Sequence, residues 1–105
     1  MPHVVHDHGK VTITPDIDIV ASQELALQTV LWQEIEHGPS HLVVDLQHVE
    51  MVDSCGLGLF ISAQNALQAH GGKLTVMNVS ADILRLFRLM RLDTHFAIIA
   101  RPNTA

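Results

Sequence analysis

The segment Asp53-Ser54-Cys55-Gly56-Leu57-Gly58 puts an acid, a hydroxyl and a thiol beside two glycines, where the apolar spacing of a helix begins. The first backbone N–H groups of a helix have no internal partner, and the helix dipole adds about +0.5 charge at that end. A serine there has two uses. As an N-cap, Asp53 or Ser54 accepts a hydrogen bond from an orphan N–H and stabilises the helix by about 1 kcal/mol. As an anion site, the same N–H groups hold a phosphate carried on the serine hydroxyl. Position alone favours the cap. Gly56 and Gly58 count the other way, since each glycine in a helix costs roughly 1 kcal/mol relative to alanine. Either the helix packs closely on its neighbours, or bare backbone lets a partner approach Ser54. Leu57 and Leu59 are then expected to present an apolar contact beside the site.

Two other groups of residues invite chemistry. Cys55 is the only cysteine; a helix N-terminus favours a thiolate, but no general base can be assigned to it and small buried cysteines are common. Eight histidines suggest metal. His3, His6 and His8 cluster near the start, with His6 and His8 on one strand face. A structural zinc site normally uses four ligands, often including cysteine, so no metal or other cofactor is expected. His37, His41, His48, His70 and His95 read as caps and surface groups, and Trp32 as partial core or a partner contact.

These residues must be positioned by elements legible in the pattern. Short apolar runs either side of His8-Gly9-Lys10, with alternation through Val11 to Thr14, predict a β-hairpin, ended by Pro15 and Asp16. Leu27, Val30, Leu31 and Ile35 predict a helix over 23–37, stopped by Gly38-Pro39-Ser40. Leu42 to Leu46 suits a central strand covered on both faces. A helix follows over 55–69, with Leu59 or Phe60, Ala63 and Leu67 buried and Gly71-Gly72 after it. Lys73 to Val79 is a strand. Ser80 caps a third helix with Ile83, Phe87 and Met90 facing in. His95 to Ile99 is a last strand, and the tail from Arg101 is expected to fray. Alternating helix and strand implies a single α/β domain over residues 1–105, with a mixed, mostly parallel sheet and helices packed against it. In open α/β sheets, function sits beyond the carboxyl ends of the strands. The loop over 48–53 lies there and delivers Ser54.

Composition bounds the function. The chain has 105 residues, 48% hydrophobic and 16% charged, with a formal charge of −5 and six basic residues. That balance argues against nucleic acid, which requires clustered cations; Arg85, Arg88 and Arg91 read as the solvated face of a helix. A lone cysteine fits a reducing compartment. Neither a signal peptide nor an apolar run of the ~18 residues a membrane span needs is present, so a cytoplasmic location is expected.

Val43-Val44-Asp45-Leu46 followed by Met51-Val52-Asp53-Ser54-Cys55-Gly56-Leu57-Gly58-Leu59 resembles the STAS domains of bacterial anti-sigma-factor antagonists. Gly71-Gly72-Lys73-Leu74 and Ile83-Leu84-Arg85-Leu86-Phe87 extend the likeness, which covers about Val11 to Ile99. The resemblance implies a STAS fold without catalytic apparatus of its own. It also implies that Ser54 is phosphorylated by a partner that is both anti-sigma factor and Ser/Thr kinase, that phosphorylation releases the partner, and that a PP2C-type phosphatase reverses it. Asp18, Asp53, Cys55, Gly56, Leu57 and Gly58 are then the partner-binding residues, with Cys55 replacing the family's usual second Ser or Thr. The alternative implied is a non-switching STAS interaction module of a transporter or scaffold complex.

Overall fold

The computed structural model describes residues 3–16, 18–19 and 24–102. Strand β1 (His3–Asp7) turns back into β2 (Lys10–Thr14) through His8 and Gly9, both at positive φ (48° and 84°), the conformation a two-residue hairpin turn demands. Then follow α1 (Glu24–Glu36), β3 (His41–Asp45), α2 (Ser54–Gln68), β4 (Lys73–Val79), α3 (Ala81–Leu89) and β5 (Ala97–Ala100). The five strands lie in chain order. β1 pairs antiparallel with β2, and every other neighbouring pair is parallel. The domain is thus the expected α/β unit with a mixed, mostly parallel sheet and an N-terminal hairpin.

An order that advances in one direction, with right-handed crossovers, places all three helices on one face of the sheet. Registered rows on that face (Val11 opposite Leu42 opposite Leu74, Ile13 opposite Val44 opposite Val76) form the core with Leu31, Ile35, Phe60, Ala63 and Leu67. The expectation that β3 is covered on both faces holds for burial but not for helices. Val43 and Asp45, which alternate onto the other face, are buried although that face carries no helix among the described residues. Phe60, Phe87 and Phe96 meet edge-on or tilted, with centroids 5.9–6.3 Å apart, and tie α2, α3 and the approach to β5 together.

The pattern misjudged the end of α3. Met90 was expected inside but is the C-cap and 57% exposed. Arg91 adopts a left-handed conformation (φ 58°) and turns the chain into a 3₁₀ turn, Leu92–Thr94. Leu92 and Phe96 then fill the space a longer α3 would have covered. The last strand therefore begins at Ala97 rather than His95. Ser80 caps α3 as expected, accepting from the Ile83 N–H. The predicted start of the first helix at Gln23 and the residues of the tail from Asn103 lie outside the described residues.

Candidate functional site

The chain leaves β3 at Asp45 and reaches α2 through a loop over residues 46–53 at the carboxyl end of the sheet. That loop is held from one side by the segment after β2. Ile19 and Val52 form an isolated parallel bridge. The Ile19 N–H donates to the Met51 carbonyl at 2.9 Å, and the Asp53 N–H to the Ile19 carbonyl at 3.1 Å. The Asp18 carboxylate accepts from the N–H groups of Glu50 (2.9 Å) and Met51 (3.2 Å) through one oxygen. Asp18, expected beside the site as a partner contact, is therefore bonded to the backbone that leads to Ser54.

Arg101 holds the same loop from the other side. Its Nη2 donates to the carbonyls of Leu46 (2.8 Å), Gln47 (3.2 Å) and Val49 (2.9 Å), its Nη1 to Glu50 at 3.0 Å, and its Nε to the Asn78 carbonyl at 3.0 Å. Asn78 sits at positive φ (57°) where the β4–β5 register shifts. Its side-chain amide donates to Asp45 at 2.8 Å, which also accepts both the backbone and side-chain N–H of Gln47. Such bonds are what allow a carboxylate to be buried. The tail expected to fray thus begins with an anchored residue. No local pattern marks an arginine just past a strand end as a cap for a loop some fifty residues earlier, so sequence reading missed it.

At the head of α2 the two uses of the serine separate. Asp53 is the N-cap, accepting from the Gly56 N–H at 3.0 Å in extended backbone geometry. Ser54 is the first helical residue. It is exposed, and its hydroxyl makes no hydrogen bond among the described residues. The N–H groups of Ser54 and Cys55 likewise find no acceptor there, whereas Leu57 N–H already closes the first helical bond to Asp53. Among the described residues, a hydroxyl without a hydrogen bond therefore stands beside two N–H groups without acceptors at the positive end of a fifteen-residue helix.

The glycines divide as well. Gly56 is buried, and a Cβ on it would lie 2.8 Å from Ile19 Cγ2, the Ile19 carbonyl oxygen and Val52 Cγ1; a Cβ on Gly58 would meet nothing within 4 Å. Close packing explains the first and does not explain the second. Helical spacing turns Leu57 inward with Phe60, Ala63 and Leu67, and Leu59 is buried too. Leu57 and Leu59, expected to present an apolar contact, are therefore buried, and Met51 in the loop is an exposed large hydrophobic side chain, 59% exposed. Cys55 is exposed. On α2 the exposed neighbours of Ser54 are Cys55 and, one turn on, Gly58, with Gly56 and Leu57 buried; Met51 is exposed in the loop before it.

The remaining candidates have other partners. The His6 imidazole bonds to Glu34 and that of His8 to Asp7. No group of three His, Cys, Asp or Glu suited to a metal occurs among the described residues. Arg85, Arg88 and Arg91 are exposed, and no helix among the described residues is long and apolar enough to cross a membrane.

The family model for the STAS domain matches residues 1–105. An anti-sigma-B factor antagonist of Staphylococcus aureus is 32% identical over 80 residues, covering 76% of this chain and 72% of that protein. An anti-sigma factor antagonist from Mycobacterium paratuberculosis superposes with a TM-score of 0.85 at 23% identity, over 94% of this chain and 84% of that one. The Bacillus cell fate determinant SpoIIAA, solved in its phosphorylated form, superposes with a TM-score of 0.73 at 16% identity, over 93% of this chain and 90% of that one.

Proposed function

The chain belongs to the STAS domain family, and from that premise we propose that it is an anti-sigma-factor antagonist whose partner binding is switched by phosphorylation of Ser54. The observation that carries this reading is the exposed Ser54 hydroxyl at the first position of α2, without a hydrogen bond among the described residues, with the cap supplied by Asp53 instead. A serine needed as a cap would lose its hydrogen bond on modification; this one has none to lose among the described residues.

Unphosphorylated, the head of α2 presents a neutral surface of Ser54, Cys55, Gly58 and Met51 to an anti-sigma factor that is also a Ser/Thr kinase. Asp18 and Asp53 shape that surface from behind. Phosphorylation adds about −1.5 to −2 charges. In the free protein the phosphate is tolerated, because the open N–H groups of Ser54 and Cys55 and the helix dipole favour an anion. Pressed against a surface that fitted a hydroxyl, the same phosphate must lose its water beside the Asp53 carboxylate. A loss of about 3 kcal/mol weakens binding roughly a hundredfold, with no rearrangement of the fold. Kinase and ATP belong to the partner, a PP2C-type phosphatase resets the switch, and the cycle runs in the cytoplasm. This chain supplies no catalytic group.

The test is to incubate the protein with a purified anti-sigma factor kinase and ATP, and to map the label. Ser54→Ala is expected to abolish labelling while retaining partner binding, and Ser54→Asp to lose binding. Undiminished labelling of Ser54→Ala would move the phosphoacceptor elsewhere. Equal retention of the partner by Ser54→Ala and Ser54→Asp baits would favour a non-switching module.

A further inference from the structure

The loop that leads to Ser54 has an uncommon feature. Three of its carbonyl oxygens, those of Leu46, Gln47 and Val49, converge on one nitrogen of Arg101. Carbonyl dipoles aimed at one point repel each other unless a cation occupies it. The planar guanidinium does so while its other nitrogens reach Glu50 and the Asn78 carbonyl, a fork that an ammonium cannot reproduce.

We infer that Arg101 is a positioning residue for the switch: it sets the conformation of the loop over residues 46–51, and through it the presentation of Ser54 to the kinase. The inference rests on the proposed role of Ser54. The mechanical path is continuous. Arg101 fixes the carbonyls of Leu46, Gln47 and Val49. Asp18 fixes the N–H groups of Glu50 and Met51. Ile19 fixes Met51 and Asp53, and Asp53 caps the helix that Ser54 opens. Each clamp holds a different part of the loop, so removing Arg101 releases the carbonyls of Leu46, Gln47 and Val49, leaving the first half to the bonds of Gln47 to Asp45 and of Val49 to Leu46, while the second half keeps its bonds to Asp18 and Ile19. Asp45 serves the same clamp at one remove, since its bond to Asn78 orients the peptide whose carbonyl receives Arg101 Nε. The Asp-Leu pair at the end of β3 thereby acquires a physical role.

Arg101 lies one residue beyond β5, and its own N–H is bonded to the Val79 carbonyl. That backbone bond survives truncation of the side chain, and no core side chain is touched, so Arg101→Ala is expected to fold. Hydrogen exchange on the whole free chain reads the loop without any partner. In Arg101→Ala, exchange at Gln47 and Val49, in the half of the loop that Arg101 holds, is expected to rise at least tenfold, with a smaller rise at Glu50, Met51 and Asp53, while the amides of β3 and β4 keep their protection. Arg101→Lys, which restores a cation to the carbonyls, is expected to recover part of it. With the purified anti-sigma factor kinase, Arg101→Ala is expected to raise KM for the protein about tenfold with kcat changed less than twofold, and Arg101→Lys to fall between. Unchanged exchange in the loop, or a uniform rise across the chain, overturns the inference. So does a local rise in exchange with KM unaltered. If the wild type is never labelled on Ser54, the proposed function fails, and the exchange measurement still decides whether Arg101 holds the loop.

Discussion

Replacing Gly56 with alanine would place a Cβ at 2.8 Å from three atoms at once, namely Ile19 Cγ2, the Ile19 carbonyl oxygen and Val52 Cγ1. None can yield easily. Ile19 and Val52 are 2% and 6% exposed and bridge each other. The Ile19 carbonyl already accepts from Asp53 N–H, so its retreat would pull on the cap residue. Overpacking of a buried site costs about 1–3 kcal/mol, and with backbone among the obstacles the upper end applies. Alanine returns about 1 kcal/mol of helix propensity, leaving a net loss of about 2 kcal/mol by these two estimates. For a domain of this size that corresponds to a fall in Tm of roughly 8–16 °C. Gly58→Ala meets nothing within 4 Å, so propensity acts alone and Tm should rise by roughly 4–8 °C. Thermal unfolding followed by circular dichroism reads the Tm of both variants, and urea unfolding, with m-values compared to confirm a common unfolded state, reads their free energies. Two glycines two residues apart should therefore shift stability in opposite directions. A Gly56→Ala protein as stable as wild type, or two variants shifting the same way, would refute the assignment of Gly56 to packing and Gly58 to access. The functional half of the argument predicts that the more stable Gly58→Ala binds its partner more weakly; unaltered affinity would remove Gly58 from the contact surface.

The division of labour at the head of α2 predicts that Asp53→Ala lowers stability by about 1 kcal/mol while Ser54→Ala changes it by less than about 0.5 kcal/mol, measured in the same urea titrations. Cys55, exposed beside Ser54, should react with a maleimide in the folded protein, and bound partner should slow that reaction; equal rates with and without partner would place the interface elsewhere. His41 provides a pH test. Burial first, then the charges of Lys73 and Lys10, hold its imidazole below the ordinary value of 6.5. The unfolded chain therefore takes up the proton first, and the His41 contribution is complete above about pH 6.5 and declines as the pH falls towards the folded value. His41→Gln should flatten the stability profile below pH 6.5 relative to wild type; parallel profiles would exclude His41 as a source of the slope.

Periodicity was sufficient for most of the architecture. The hairpin, the strand Lys73–Val79, the Ser80 cap and the inward faces of α1 and α2 follow from spacing, because each is decided by residues within one or two turns of each other. The pattern failed where a distant residue competed for the same space. Met90 continues the apolar spacing of α3, but Leu92 and Phe96 reach that part of the core after the turn at Arg91, so the helix ends and Met90 stays in solvent. For the site, the motif and its place after the central strand were legible. Which of two adjacent polar residues caps the helix was not, since Asp53 and Ser54 both favour the position. Nor was the fate of two identical glycines, whose difference lies in what faces them.

The sequence by itself determined that a hydroxyl would stand at the start of a helix beyond the carboxyl end of a parallel sheet, because hydrophobic period and turn chemistry are local properties of the chain. Only the tertiary structure decided that this hydroxyl has no hydrogen-bond partner among the described residues, that Gly56 is obliged by contact with Ile19 and Val52, and that Arg101 and Asp18 grip opposite sides of the loop before it. Those outcomes depend on distances between residues far apart in the chain, and such distances exist only once the sheet has brought the ends of β2, β3, β4 and β5 together.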